Sequence, residues 1–396
     1  MPPKGAFAWL VGGAFTHALS FFGEQVVIAY LAFKLTDSSL WVGVALGLYY
    51  APMFFFGLTA GAIADRFNRT KLIAHNQLAA AALLAALAWL VTQSGANGAA
   101  SLIWVLPLTT AIGITRALYE TLRGSIAYDL ARSDRATVAL GRLNLAGRCG
   151  QLVGAFAAGA CIDRFGVPST YALLAGSQCV SFGLLSRLPR LTQPQTSEGV
   201  RRGLTLLLEE LRGNHRLRVL LALTASVEMF GFSFITLLPE LAAQRFDVEA
   251  QGLGLLHSAR AAGGIATALA FSLLMLRRGS ERFYFGVIVT FGCALGLLAF
   301  APTFSVAVGA LVLIAGASVS TDILSQSMMQ DAVPDRMRGR AMGVWVFAIG
   351  AAPLGHIESG LLSNAFGPTI ALLINGSVLF AVSIFAWTTL PSPQRR

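Results

Sequence analysis

The sequence predicts an all-α membrane protein: twelve transmembrane helices in two pseudo-symmetric six-helix bundles, with both termini on the cytoplasmic side. Three observations carry that expectation. The 396 residues are 55% hydrophobic and 12% charged, whereas a soluble domain is about 25% charged. Long apolar stretches fall into two sets of six around one polar stretch. Lysine and arginine collect in alternate loops. A spanning helix needs roughly 20 apolar residues, so twelve helices of about 25 residues leave about 96 positions for loops and ends. That leaves no room for an appended soluble ATPase, kinase or DNA-binding module.

The first six apolar segments run roughly over residues 8–33, 40–64, 72–92, 101–129, 137–162 and 169–186. The second six cover 217–243, 251–276, 283–301, 304–330, 341–363 and 368–389. Segment 1 follows a single Lys4 and continues into Leu31, past the length of a signal-peptide apolar core, so it reads as a retained helix. The polar stretch 187–216 opens with the hinge-like LPRLTQPQTSEG. It continues with Val200, Leu204, Leu207, Leu208 and Leu211 at helical spacing opposite Arg201, Arg202 and Glu209, the pattern of an amphipathic helix on the inner surface. The expected organisation is a bundle over 1–186, a cytoplasmic linker over 187–216 and a bundle over 217–396.

Orientation follows from the basic residues. Of 29 lysines and arginines, 21 fall at the termini and in the loops that an N-in, C-in chain places in the cytoplasm. Only Lys34, Arg164 and Arg245 fall in the outer loops, and Arg116, Arg123, Arg142, Arg148 and Arg260 lie inside segments. The net charge of +10 is therefore a topology signal, and no nucleic-acid partner is expected. Cys149, Cys161, Cys179 and Cys293 lie in or beside apolar segments without a C-x-x-C pair, which gives them a packing role and no disulfide or metal. No G-x-x-x-x-G-K-[ST] phosphate loop is present, and no cofactor or metal is expected.

An internal repeat supports two related halves. Residues 150–176 align with 351–376, placing Gly154, Gly159 and Gly166 on Gly355, Gly360 and Gly367 at a constant offset of 201. Asp134-Arg135 and Asp335-Arg336 share that offset, which makes segments 5 and 11 equivalent. Phe22-Gly23 and Phe230-Gly231 align segments 1 and 7 at an offset of 208. Parallel repeats of this kind are a signature of transporters.

Charges within the membrane are costly and face a cavity or a partner. Segment 1 carries Glu24, segment 4 Arg116, Glu120 and Arg123, segment 5 Arg142 and Arg148, and segment 7 Glu228. Segments 8, 10 and 11 carry Arg260, Asp322 and Glu358, while the cores of 3, 6, 9 and 12 carry no charge. Every third helix is thus expected against lipid, with the others around a central cavity. Arg116 and Glu120 are spaced i, i+4 and can pair, with Arg123 one turn beyond. Glu24 and Glu228 have no basic neighbour within a turn of their own segments. The 208 offset sets them four positions, about 6 Å, apart on one helix face. Such carboxylates suit cation binding or proton coupling, or they pair with Arg116, Arg148 or Arg260 across the bundle. His257 and His356 read as packing residues or proton relays. Phe21, Phe22, Tyr49, Tyr50, Phe54, Phe230 and Phe232 would suit an aromatic or amphipathic compound, although helix cores hold such residues anyway.

Gly61 to Lys71, GAIADRFNRTK, resembles motif A of the major facilitator superfamily, G-x-x-x-D-R-x-G-R-[RK]. Gly61, Asp65, Arg66 and Arg69 match; Asn68 replaces the glycine, and Thr70 with Lys71 replaces the closing basic pair. The likeness extends through FGEQVVIAYLAFKLT, LLPELAA and QDAVPDRMRGRAMGVW, and is to the enterobactin-exporter-like subgroup of bacterial efflux proteins. It implies that Asp65 caps the start of helix 11 beside Arg338 and Arg340, and that Asp129 receives Arg69, closing an inner gate. The loop LRRGSER lacks a second motif A, and the antiporter motif G-x-x-x-G-P-x-x-G-G keeps Gly150, Gly154 and Gly159 but has Ala155 for proline and Ala158 for the next glycine.

The expected function is secondary active transport: proton-coupled export of a small drug- or siderophore-like molecule by a monomer in the bacterial inner membrane. Glu24 and Glu228 are expected to bind protons or a cationic substrate. Arg116, Glu120 and Arg260 supply cavity electrostatics, with Arg148 and Asp322 as further candidates. The alternatives are an uptake or lipid-flipping carrier, and a non-transporting receptor or assembly factor. No catalytic triad or metal-ligand spacing suggests an enzyme.

Overall fold

The computed structural model describes residues 5–66, 68–94, 102–130, 136–189, 211–273, 281–333 and 338–389, and every regular element among them is helical. The first four helices are α1 (Ala6–Thr36), α2 (Ser39–Arg66), α3 (Arg69–Ser94) and α4 (Leu102–Leu130). The helical stretch Ala136–Leu185 is divided at Gly166, whose φ of 82° and ψ of 171° no helix accommodates, giving α5 (136–165) and α6 (167–185). Then come α7 (His215–Arg245), α8 (Ala250–Leu273), α9 (Glu281–Ala299) and α10 (Phe304–Asp331). The helix α11 runs as Arg338–Ile349 and Ala352–Phe366 with a turn between, and α12 is Pro368–Thr389. Nine of the described helical stretches are long and apolar enough to cross a membrane. The proposed linker helix falls on residues 190–210, outside the described residues.

Helix ends follow local chemistry. Asp37 stops α1 in the left-handed conformation, its N–H returning to Phe33 O at 2.7 Å. Asn214 starts α7 by accepting Leu217 N–H at 3.0 Å. Gly367 has φ 83° and ψ 162° and precedes Pro368 at the head of α12, repeating the Gly166 and Pro168 break.

The chain folds into two compact units. One comprises Met1–Asp37, Leu48–Val200 and Asp247–Ala261; the other comprises Ser38–Gly47, Arg201–Phe246 and Ala262–Arg396. In the first unit α5 lies directly on α1, where a Cβ at Gly154 would stand 2.1 Å from Leu19 O and one at Gly150 would stand 2.3 Å from Phe15 O. Leu10, Ala14, Ile73, Tyr119, Leu122, Leu143 and Leu185 complete this core from α1, α3, α4, α5 and α6. The second unit repeats the plan: Gly355 would place a Cβ 2.0 Å from Met229 O, and Gly360 one 2.7 Å from Ser39 O. The 201 offset read between segments 5 and 11 is thus present as packing. For helices 1 and 7 the packing register is 210, since Leu19 matches Met229 and Asp37 (φ 49°) matches Asp247 (φ 50°). That differs by two from the offset of 208 suggested by the Phe-Gly pairs.

At the head of α8 the two carboxylate oxygens of Asp163 accept the N–H groups of Ala250 at 3.1 Å and Gln251 at 2.8 Å. Gly159 one turn earlier lets α5 touch Ala250. Asp163→Ala is expected to lower stability by about 1 kcal/mol through loss of this cap, read as a fall in thermal midpoint in detergent. Asp163→Asn should retain roughly half of the effect, and an unchanged midpoint in the alanine variant would remove the cap's contribution.

Candidate functional site

In the first unit a polar and aromatic constellation forms where α1, α2, α4 and the start of α8 meet. Tyr49 is fully buried and its hydroxyl donates to Phe21 O at 3.1 Å. Its ring stacks on Phe21 at 5.3 Å, and Phe22 stands edge-on to Phe21 at 4.6 Å. The Arg116 guanidinium lies over the Phe21 ring at 3.7 Å and the Tyr50 ring at 4.6 Å. Gln25 donates to Tyr50 Oη at 2.8 Å and accepts from Arg260 Nη2 at 3.3 Å, tying α8 to α1 and α2. Arg148 acts electrostatically on Arg260.

Glu24 is 1% exposed and sits within the electrostatic reach of Arg116 and Tyr49. Its Oε1 has no hydrogen-bond partner, and neither do Arg116 Nε and Nη1. The i, i+4 pair expected between Arg116 and Glu120 does not form. Glu120 instead binds Arg123 at 2.9 Å, the i, i+3 neighbour. Arg116 is drawn the other way by the two rings. Beneath this group His17 stacks on Tyr119 at 3.5 Å and meets Gln77 at 3.0 Å, which also reaches Gln178 and Ser181 at 2.9 Å each.

In the second unit Glu228 is buried on a widened π-helical turn, Val227–Gly231, followed by a tight 3-10 stretch, Phe232–Leu237. Irregular turns of this kind inside membrane helices recur at functional sites. Asp322 of α10 is the charged neighbour that acts on Glu228. Glu358 accepts from Ser359 at 3.2 Å, while Asn375 donates to Ser359 at 2.7 Å and Ser233 at 3.1 Å. His356 Nδ1 bonds Thr236 at 2.9 Å, a packing contact, and Glu240 accepts from Ser363 at 2.6 Å and from Ser39.

The structure therefore gathers Glu24, Arg116 and Arg260 in one unit and Glu228 and Asp322 in the other. By the 210 register Glu24 corresponds to Phe234 and Glu228 to Ala18, six positions apart, about 9 Å along a helix and on different faces. Arg69 meets Asp129 at 3.5 Å, the contact that motif A implies. The side chains of Gly61, Asp65, Arg66, Arg338 and Arg340 lie outside the described part, although the backbone places Arg338 and Arg340 in the first turn of α11. Gln25, Gln77, Gln178 and Asn375 are neutral, so charge does not mark them in the sequence. Their signal was a carboxamide inside an apolar run, which must find partners when buried.

Apolar helices long enough to cross a membrane, with charged side chains buried among them, define a multi-pass helical membrane protein with a polar interior. The sequence matches the Major Facilitator Superfamily over residues 10–352 and 220–396, and the chain belongs to that family. It is 22% identical over 346 residues to the staphyloferrin A transporter of Staphylococcus aureus (strain NCTC 8325 / PS 47), covering 87% of this chain and 86% of that one. It is 25% identical over 366 residues to the enterobactin exporter EntS of Shigella flexneri, covering 88% and 85%. The fold is similar to the crystal structure of the nucleoside transporter NupG, with a TM-score of 0.79 at 16% identity, covering 98% of this chain and 100% of that chain.

Proposed function

We propose that the protein is a proton-coupled exporter of a small amphipathic molecule, siderophore- or drug-like, working as a monomer in the bacterial cytoplasmic membrane. On this reading twelve spans run N-in, C-in, and the halves 1–186 and 217–396 alternate access to a midplane site. The observation that carries it is that each unit buries a carboxylate within a span: Glu24, one oxygen of which has no hydrogen-bond partner, and Glu228, with Asp322 as its charged neighbour. Membrane insertion penalises such groups unless they are used. Siderophore carriers among the relatives support the substrate scale and, through the enterobactin exporter, the outward direction. Glu228 with Asp322 is assigned to coupling, and Glu24 with Arg116 and Arg260 to substrate. Asp65, Arg66 and Arg69 with Asp129, Arg338 and Arg340 form the inner gate.

Proteoliposomes test this with a panel of siderophores, macrolides and cationic dyes chosen by comparing knockout and overexpressing strains. An acidic lumen should drive accumulation of the substrate, because protons leaving down their gradient exchange for it. Reversing the gradient should abolish accumulation. Accumulation only with an acidic exterior would replace antiport by proton-coupled uptake, and no flux for any compound would remove the transport reading.

A further inference from the structure

The constellation in the first unit carries a statement about the substrate's charge. Glu120 is neutralised by Arg123, which leaves Glu24 beside Arg116, while Arg260 sits on the neighbouring Gln25 with Arg148 acting on it. The local balance is basic. Two nitrogens of Arg116 are enclosed without a partner, as is one oxygen of Glu24. Unsatisfied buried donors of this kind are rare in folded proteins and call for a ligand or water. The guanidinium also lies against the Phe21 and Tyr50 rings, at 3.7 and 4.6 Å, which restrict where it can sit. A guanidinium restricted in this way donates charge-assisted hydrogen bonds to a carboxylate. Phe22 and Tyr50 offer further aromatic surface beside it.

We propose that this site takes an aromatic carboxylic acid as its anion: Arg116 binds the carboxylate, the rings of α1 and α2 receive the aromatic body, and Glu24 opposes the anion. The proposal rests on the transport reading and narrows its substrate from amphipathic to anionic. It also reverses the cationic substrate expected from Glu24 in the sequence.

The test uses the purified full-length protein in detergent and three probes of one shape: 2-naphthoate, 2-naphthamide and 2-naphthylmethylamine. Calorimetry should show the acid binding at least about tenfold tighter than the amide, the increment of one charge-assisted pair, with the amine weakest. Arg116→Gln should remove that preference, whereas Arg142→Gln, on the exposed face of α5, should leave it intact. Glu24→Gln should tighten naphthoate binding several-fold, a gain that misfolding cannot produce. Equal binding of acid and amide, preference for the amine, or weakening by Glu24→Gln would each overturn the proposal. If these fail while gradient-driven flux of a panel compound persists, only the substrate class is wrong. If naphthoate binds as described and no compound is transported, only the transport reading is wrong.

Discussion

Glu228→Gln is expected to abolish pH-gradient-driven accumulation while leaving protein level and substrate binding near wild type. A carboxylate within the membrane costs at least about 2.5 kcal/mol to insert, and here it is buried on a π turn with Asp322 as its charged neighbour. A carboxyl group can accept and release a proton as its surroundings change, which is what coupling to a proton gradient requires. Glutamine keeps the shape and the hydrogen-bonding capacity but cannot carry that proton. Packing should therefore survive, and coupling should fall by about two orders of magnitude, toward background, as expected when an essential proton carrier is removed.

The measurement separates coupling from binding. Exchange of labelled for unlabelled substrate, with no gradient, needs the binding site and the rocking motion but no net proton movement. Glu228→Gln should keep that exchange and lose accumulation. Asp322→Asn should act in the same direction with a smaller loss, since it modulates the pair from α10. Wild-type accumulation in the Glu228 variant would end its coupling role and move attention to Glu24.

The helical, membrane-spanning character of the fold was legible because membrane physics writes it into composition: apolar length and glycines at matched intervals each have one dominant cause. Gly154 with Gly355 and Gly166 with Gly367 were readable as repeats because close helix contact and a positive φ both demand glycine. The register of helices 1 and 7 was less legible. The Phe-Gly pairs suggested 208, but the contacts obey 210 both at Met229, inside the irregular stretch Val227–Leu237, and at Asp247 beyond it, so the dipeptide match does not mark equivalent positions. A two-residue match in Phe-rich helices is too short to fix a register. The charged residues of the candidate site stand out in the sequence by their rarity within apolar segments, whereas their pairing does not. Arg116 has Glu120 at an allowed helical spacing, yet two aromatic rings from other helices take it, and Arg123 takes Glu120. Sequence spacing sees only partners on the same helix.

Gly154→Leu should prevent the first unit from assembling, the largest stability effect among single substitutions considered. The Cβ alone would stand 2.1 Å from Leu19 O and 2.7 Å from Leu19 Cα, and both are backbone atoms that no rotamer change can move aside. Relief requires α1 and α5 to separate. Gly150 would then lose its contact with Phe15, and Gly23 its contact with Gly154 O and Leu174. The hydroxyl of Ser20 donates to Leu174 O at 3.1 Å and that of Ser177 to Thr16 O at 2.8 Å, so the same movement strains α1 against α6. Overpacking a core costs about 1 to 3 kcal/mol when side chains yield, and a backbone clash should exceed that range. The expected result is loss of the monodisperse peak on size-exclusion chromatography, with Gly154→Ala showing a reduced yield and a lowered thermal midpoint. Gly355→Leu should do the same in the second unit, where the Cβ would meet Met229 O at 2.0 Å. Gly176→Leu is the matched control, because nothing lies within 4 Å of a Cβ there. Wild-type behaviour of Gly154→Leu would mean that the α1 and α5 backbones are not in contact, and with it the Phe21, Glu24 and Arg116 geometry that this contact positions would have to be redrawn.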